Sequence, residues 1–329
     1  MVLSTQKHES LTRCLAECGQ ALARTQHFTV YAQKTDQATP VKSEDLIVVH
    51  HFKPTAINNN IGYFVVRELL PALAELNENQ QTDQCDQPYR LNDQQVFERF
   101  VGDIVRSMDG SEARAWHNFY DNTLSELAKS AQQYKQSTLS TDSGRQPEMA
   151  EYEPDQNFID NFAAIYQCAA ELLDIGSPGE SLSLLDVATC FGFFPLFIHQ
   201  QQELVHPQQS FNNHNKGFHA SKSIYHHIAG CDNNPALVDL ANSYVDRREH
   251  KAVRFILADI LAPDKRGALA SQPQFDVVTA IHLLEHLQPH QTEFAIANLW
   301  QLTRRRLIIS VPFEEKPDKQ YGHLQVFDP

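Results

Sequence analysis

The stretch from Ser183 to Pro195, SLLDVATCFGFFP, constrains the fold of this chain more than any other. Leu182, Leu184, Leu185 and Val187 form a short apolar run ending in small residues, and a second apolar run from Phe193 to Ile198 follows. The pattern is that of a buried strand, a tight turn and a helix start. Such a turn opens a nucleotide-sized crevice at the carboxyl end of a parallel strand, where backbone amides at the helix start face a ligand. Downstream the unit repeats. Strands are expected at Leu182–Ala188, Ile224–Cys231, Ala252–Leu257, Phe275–Ala280 and Leu307–Val311, with helices at Pro195–Leu204, Pro235–Tyr244 and Thr292–Leu302. Strands alternating with helices imply right-handed crossovers and an α/β fold with a doubly wound, mostly parallel, Rossmann-like sheet.

Upstream the periodicity is mainly helical. Helices are expected at Leu11–Ala23, Gly62–Leu76 with a break at Pro71, Val96–Met108 and Ala113–Tyr134, and strands only at Thr29–Ala32 and Asp45–Phe52. Residues 135–156 have almost no apolar content and are rich in Ser, Thr, Gly, Pro and Asp, so they read as a linker. The reading is therefore two domains: residues 1–150, a mainly helical accessory and acceptor-binding domain, and residues 151–329, the α/β domain, opened by a helix over Phe158–Leu173. A polar insertion over Gln201–Ser223 holds His206, His214 and His219, and His199 stands just before it. Their irregular spacing reads as a solvated loop rather than a metal site.

Charge narrows the partners. A net charge of −14 works against duplex nucleic acid and anionic membranes, and the one basic run, Arg304 to Arg306, adjoins a strand. No apolar run reaches membrane-spanning length, and the N-terminus lacks a secretory stretch. The six cysteines are scattered, and Cys14 and Cys18 find no second pair at zinc-finger spacing, so reduced thiols and a cytoplasmic address are expected.

The strand ends supply the chemistry. Asp186 sits in the first strand beside the turn. Asp232 follows the second strand in AGCDNNP, where a carboxylate can accept both hydroxyls of a ribose, and Asp259 follows the third in ILADI, placed to accept from an exocyclic amine. The fourth strand, FDVVTAI, runs into His282, Glu285 and His286, which share one face if the segment is helical. After the fifth strand, SVPFEEKPDKQYGHLQVFD carries Glu314, Glu315, Tyr321 and His323 over the open end of the sheet.

In this order these features resemble the class I S-adenosylmethionine-dependent methyltransferases, over about Phe158 to Asp328. The resemblance implies S-adenosylmethionine as cofactor: the turn from Asp186 through Ala188, Cys190 and Gly192 would cradle its methionine part. Asp232 would hold the ribose, and Asp259 with the Ile260 amide would read the adenine. Residues 106–127, VPFE and YGH also resemble mycofactocin-glycan methyltransferases, which implies O-methylation of a small-molecule or oligosaccharide hydroxyl, with Trp116, Phe119 and Tyr120 as ring platforms or as core. Imidazole is the base matched to neutral pH, so His286 and His323, then His282, are the candidate catalytic residues.

The family turn is D-x-G-x-G-x-G, and Ala188 and Cys190 stand at two of its glycine places. A Cβ resists positive φ, and the family's last two antiparallel strands are expected to be missing from residues 151–329, so weakened cofactor binding and a noncatalytic, scaffold role form the alternative. A nicotinamide enzyme would need G-x-G-x-x-G, where only Gly192 is present. H-x-x-E-H is also the spacing of one class of zinc proteases, which needs a further downstream ligand, and of a divalent-ion site in similar O-methyltransferases whose first glutamate is here His282. No residue is assigned to a metal, and the oligomeric state is left open.

Overall fold

The computed structural model describes residues 2–4, 18–33, 46–78, 94–139, 157–177, 180–205, 224–262, 269, 274–319 and 321–328. The chain divides into two compact units, Met1–Thr123 with Lys319–Gly322, and Leu124–Asp318 with His323–Pro329.

The first unit is not simply helical. It contains a four-stranded sheet in the order β1-β4-β3-β2, formed by β1 (Val2–Ser4), β2 (Cys18–Arg24), β3 (Phe28–Gln33) and β4 (Leu46–His50). β1 runs parallel to β4, and the other pairs are antiparallel. The helix expected over Leu11–Ala23 is therefore corrected at Cys18–Arg24, which pair with β3. Cys18 is buried beside Ile47 and Val49, and this tertiary packing overrides the local helical spacing. α1 (Asn60–Phe64) passes through a π turn (Val65–Leu69) into α2 (Leu70–Glu78). Pro71, which has no backbone N–H to donate, falls just after that widened turn, so the expected break takes this form. α3 spans Gln94–Ser107 and α4 spans Glu112–Leu139. Trp116, Phe119 and Tyr120 are buried, which makes them core and removes them as an exposed sugar platform. Residues 135–139 finish α4 rather than starting a linker, and residues 140–156 lie outside the described residues.

The second unit carries a five-stranded, wholly parallel sheet in the order β7-β6-β5-β8-β9. Its strands are β5 (Ser181–Val187), β6 (Ile224–Asp232), β7 (Val253–Leu257), β8 (Phe275–Ile281) and β9 (Thr303–Ser310). The helices are α5 (Phe158–Leu172), α6 (Phe193–Val205), α7 (Pro235–Arg248) and α8 (Pro289–Leu302). β5 and β8 are buried almost throughout, as strands covered on both faces must be. Caps match the sequence: Asn157 and Asn234 accept from the first turns of α5 and α7, and Pro235 and Pro289 open their helices. The chain winds outward from β5 through β6 to β7, then returns to β8 and β9 on the other side. This reversal places a topological switch point between the carboxyl ends of β5 and β8, where ligands of open α/β sheets bind. Residues 206–223, with His206, His214 and His219, lie outside the described residues, whereas His199 is part of α6.

Among the described residues no helix is long and apolar enough to cross a membrane. Cys18, Cys168, Cys190 and Cys231 carry thiols outside any disulfide.

Candidate active site

The turn after β5 takes a backbone that its residue types resist. φ is 58° at Ala188, 53° at Cys190 and 77° at Gly192, so all three glycine places of the D-x-G-x-G-x-G pattern take the left-handed conformation. The hydrogen bonds that fix it come from backbone and from one acid. Thr189 N donates to Cys231 O at 3.0 Å, Gly192 N to Thr189 O at 2.8 Å, and Cys190 N to Asp232 Oδ2 at 2.9 Å. Gly192 is irreplaceable for a further reason. A Cβ there would stand 2.3 Å from the Phe255 ring of β7, which also lies against Gly230.

Asp232 closes β6 and is 8% exposed. Its Oδ1 accepts from Asn234 N at 2.9 Å. Burial raises its carboxyl above the ordinary range, against the lowering effect of these backbone donors. A carboxylate has about four lone-pair sites, so these two bonds leave capacity to accept from further donors. Asp186 has a different task. It pairs in register with Thr279 of β8, whose Oγ1 donates to Asp186 Oδ1 at 2.6 Å, and it is 3% exposed. Burial pushes its carboxyl up to about 7. It joins the two strands that flank the switch point. Asp259 is half-buried after β7 and turns the chain by accepting from Leu261 N at 2.8 Å, while the Ile260 carbonyl accepts from Asn298 of α8 at 2.8 Å.

The segment after β8 is not the helix on which His282, Glu285 and His286 would share a face. His282 has φ of 56° and donates its N–H to Ser310 O at 2.9 Å, so the chain turns sharply before a short 3-10 helix at Leu284–His286. The turn nevertheless gathers these side chains. His282 Nδ1 lies 2.8 Å from Glu285 Oε1. Glu285 is fully buried, and among the described residues no donor aligned for a hydrogen bond reaches either carboxylate oxygen. Burial pushes its carboxyl up, but His282 and the nearby His286 outweigh that and hold it below the usual range.

His323 joins from the chain end. Its ring stands edge-on to that of His286 with centroids 5.1 Å apart, and its Nδ1 lies 2.9 and 3.0 Å from the two oxygens of Glu314. Leu324 N donates to Glu285 O at 2.7 Å, and the Gln325 amide donates to Leu284 O, Leu287 O and Thr292 Oγ1. The chain end is thus stitched onto the turn that carries His286. Ligand atoms of Glu285, His286 and His323 lie within 4.8 Å of one another, a group able to hold a metal ion. The sequence pointed to both histidines but not to Glu314 as the partner of His323, nor to Glu285 as the buried acid between them. Tyr321 falls in the first unit, where Arg67 lies 5.9 Å from its ring centroid.

No protein-family model and no curated protein matches this sequence. Several solved structures resemble part of it. The bifunctional kinase-methyltransferase WbdD is 15% identical over 44% of this chain and 27% of its own, with a TM-score of 0.30. The magnesium protoporphyrin IX methyltransferase (ChlM) of Synechocystis PCC 6803, solved with bound SAM, is 17% identical over 46% and 55%, with a TM-score of 0.29. The methyltransferase domain of bacterial CtHen1 is 19% identical over 40% and 58%, with a TM-score of 0.28. The chain spans between 27% and 58% of the length of these proteins. The likeness is one of partial architecture and transfers no residue role to this chain.

Proposed function

We propose that the second unit binds S-adenosylmethionine and transfers its methyl group to a hydroxyl of a small molecule or an oligosaccharide. The observation that carries this reading is the left-handed backbone at Ala188, Cys190 and Gly192, held by Asp232 through the Cys190 amide. It supports a cradle of the D-x-G-x-G-x-G type despite the two missing glycines, and so favours this reading over a noncatalytic scaffold. In the proposed roles the turn takes the methionine part, Asp232 the ribose, and Asp259 with the Ile260 amide the adenine.

Methyl transfer is an in-line displacement: the bond from sulfur to the methyl carbon breaks as the bond from the acceptor oxygen forms, and S-adenosylhomocysteine leaves. Positioning supplies much of the acceleration. The hydroxyl proton passes to an imidazole, His286 or His323 in this reading, with His282 third. Glu314, at 2.9 Å from His323 Nδ1, fixes the orientation of that ring. The oligosaccharide acceptor rests on the resemblance of residues 106–127, VPFE and YGH to mycofactocin-glycan methyltransferases.

The clustered ligand atoms favour a second reading of the same side chains, in which Glu285, His286 and His323 hold a divalent ion. The buried Glu285 carboxylate fits such a role, since beside the close approach of His282 to Oε1 an ion would satisfy its remaining acceptor capacity, and Glu314 would orient His323 from behind. When bound, such an ion lowers the pKa of an acceptor hydroxyl.

Calorimetry with S-adenosylmethionine and S-adenosylhomocysteine tests the cofactor, on the native chain and on Asp232→Ala. Micromolar binding abolished by the substitution is expected, and no binding by the folded native chain overturns the reading in favour of a scaffold. With an acceptor in hand, His286→Ala should lower turnover far more than cofactor affinity. Activity unchanged by chelator favours the base, whereas activity lost with chelator and restored by a divalent ion favours the ligand.

A further inference from the structure

We propose that His199, Glu203 and His250 form a separate metal site on the second unit, built for a zinc-type divalent transition ion. The three side chains come from two elements. His199 and Glu203 stand one helical turn apart on α6 and share a face. His250 follows the cap of α7 and stands three residues before the start of β7, at the amino end of that strand, whereas the crevice described above lies at the carboxyl ends.

The distances suit an ion. His199 Nε2 lies 3.1 Å from His250 Nδ1 and 3.4 Å from Glu203 Oε1, and the ligand atoms of all three residues lie within 4.8 Å of one another. Tetrahedral zinc with bonds of about 2.0–2.1 Å sets its ligands about 3.3 Å apart. The two rings cross at 75° with centroids 4.7 Å apart, so their nitrogens meet instead of their faces stacking. Without an ion, one imidazole donating to the other accounts for the 3.1 Å contact and keeps both rings in place.

The backbone is equally prepared. Glu249 takes φ of 55° as the helix cap, His250 N donates to Val245 O at 3.2 Å, and Val253 N donates to His250 O at 3.0 Å. His250 is therefore pinned on both sides, and little conformational entropy remains to be lost on binding. Two imidazoles and a carboxylate select zinc, copper or nickel over magnesium and calcium. The group supplies three protein ligands, which leaves a fourth position of a tetrahedral ion for water. The ion would tie α6 to the turn between α7 and β7, and would not take part in methyl transfer.

The test is zinc titration of the full chain by calorimetry, on the native protein and on the double variant His199→Gln, His250→Gln. The native chain should bind one equivalent of zinc more than the variant, a difference that isolates this site from the Glu285 cluster. Zinc should also raise the melting temperature of the native chain by more than that of the variant. Equal stoichiometry in the two proteins overturns the proposal. Should the double variant fail to fold, Glu203→Gln decides, because this residue is exposed: at least a tenfold loss of zinc affinity at one site is expected, and unchanged affinity overturns the proposal.

Discussion

Ala188 and Cys190 carry a Cβ in a region of backbone space that costs an L residue roughly 1–2 kcal/mol. Replacing either by glycine relieves that strain, partly offset by the greater entropy of glycine in the unfolded chain. Ala188→Gly and Cys190→Gly should therefore each raise the unfolding free energy in urea by about 0.5–1 kcal/mol. A loss of stability in both would contradict the left-handed turn. Gly192→Ala should do the opposite and cost at least about 2 kcal/mol, since its Cβ meets both a positive φ and the Phe255 ring. This turn was legible in the sequence as a turn, but its conformation was not. Residue type argued against positive φ, and the Asp232 bond to the Cys190 amide that compensates joins positions far apart in the chain.

Asp186 gives stability a pH dependence of unusual sign. Its carboxyl sits at about 7 in the fold, against an ordinary value near 4 in the unfolded chain. A group whose folded pKa is raised contributes stability that is complete below the unfolded pKa and is lost as pH rises through the folded one. Between about pH 4 and pH 7 this residue should therefore withdraw up to a few kcal/mol. Asp186→Asn keeps an oxygen to accept from Thr279 and cannot ionise. Comparing urea midpoints of the two proteins at pH 5 and pH 7.5 isolates the effect: the native chain should lose more stability than the variant over that interval. Parallel changes would mean that Asp186 is ionised in the fold.

At the scale of elements, the sequence located the five strands described in the second unit, most clearly β5 and β8, because parallel strands buried on both faces read as continuous apolar runs. β9 was seen only from Leu307, since its first half is Arg304 to Arg306. There Arg304 and Arg305 pair with Asp276, Arg305 also reaches Glu180 at 2.6 Å, and Arg306 donates to the Leu172 carbonyl, so partners outside the strand allow a charged run to be one. β2 was missed because its apolar spacing suited a helix and only pairing with β3 decides against it. β7 raises a related question, since it is an edge strand. Asn242 of α7 answers it by accepting from Phe255 N at 2.9 Å and donating to Phe255 O at 3.0 Å, in the manner of a neighbouring strand. Asn242→Leu removes both bonds and should cost about 1–3 kcal/mol. Because the Phe255 ring lies against Gly192 and Gly230, the loss should spread to the turn: faster hydrogen exchange at the Phe255 amide together with weaker cofactor binding is expected. A destabilised variant with unchanged cofactor affinity would show that β7 does not support the turn.

For the whole molecule, composition spoke more clearly about charge than about division into units. The polar stretch from residue 135 suggested a boundary near 150, whereas the contacts divide the chain at Thr123 and Leu124, inside the unbroken helix α4. A helix can belong to two packing groups without any change in its composition, so no sequence signal marks that point. The net charge of −14 is a different kind of quantity, because it acts at a distance and needs no fold to be read. S-adenosylmethionine is a net cation at neutral pH through its sulfonium and ammonium groups, whereas S-adenosylhomocysteine lacks the sulfonium charge and is neutral overall. If the second unit binds both, the acidic field should draw in the first and be indifferent to the second. Raising salt from about 20 mM to about 500 mM shortens the screening length from about 20 Å to about 4 Å, which removes most of that attraction. The affinity for S-adenosylmethionine should then fall several-fold more than that for S-adenosylhomocysteine, in titrations at the two salt concentrations. Equal salt dependence would mean that the charge lies too far from the crevice to reach it, and that the ligand is held by the turn, Asp232 and Asp259 through short-range contacts alone.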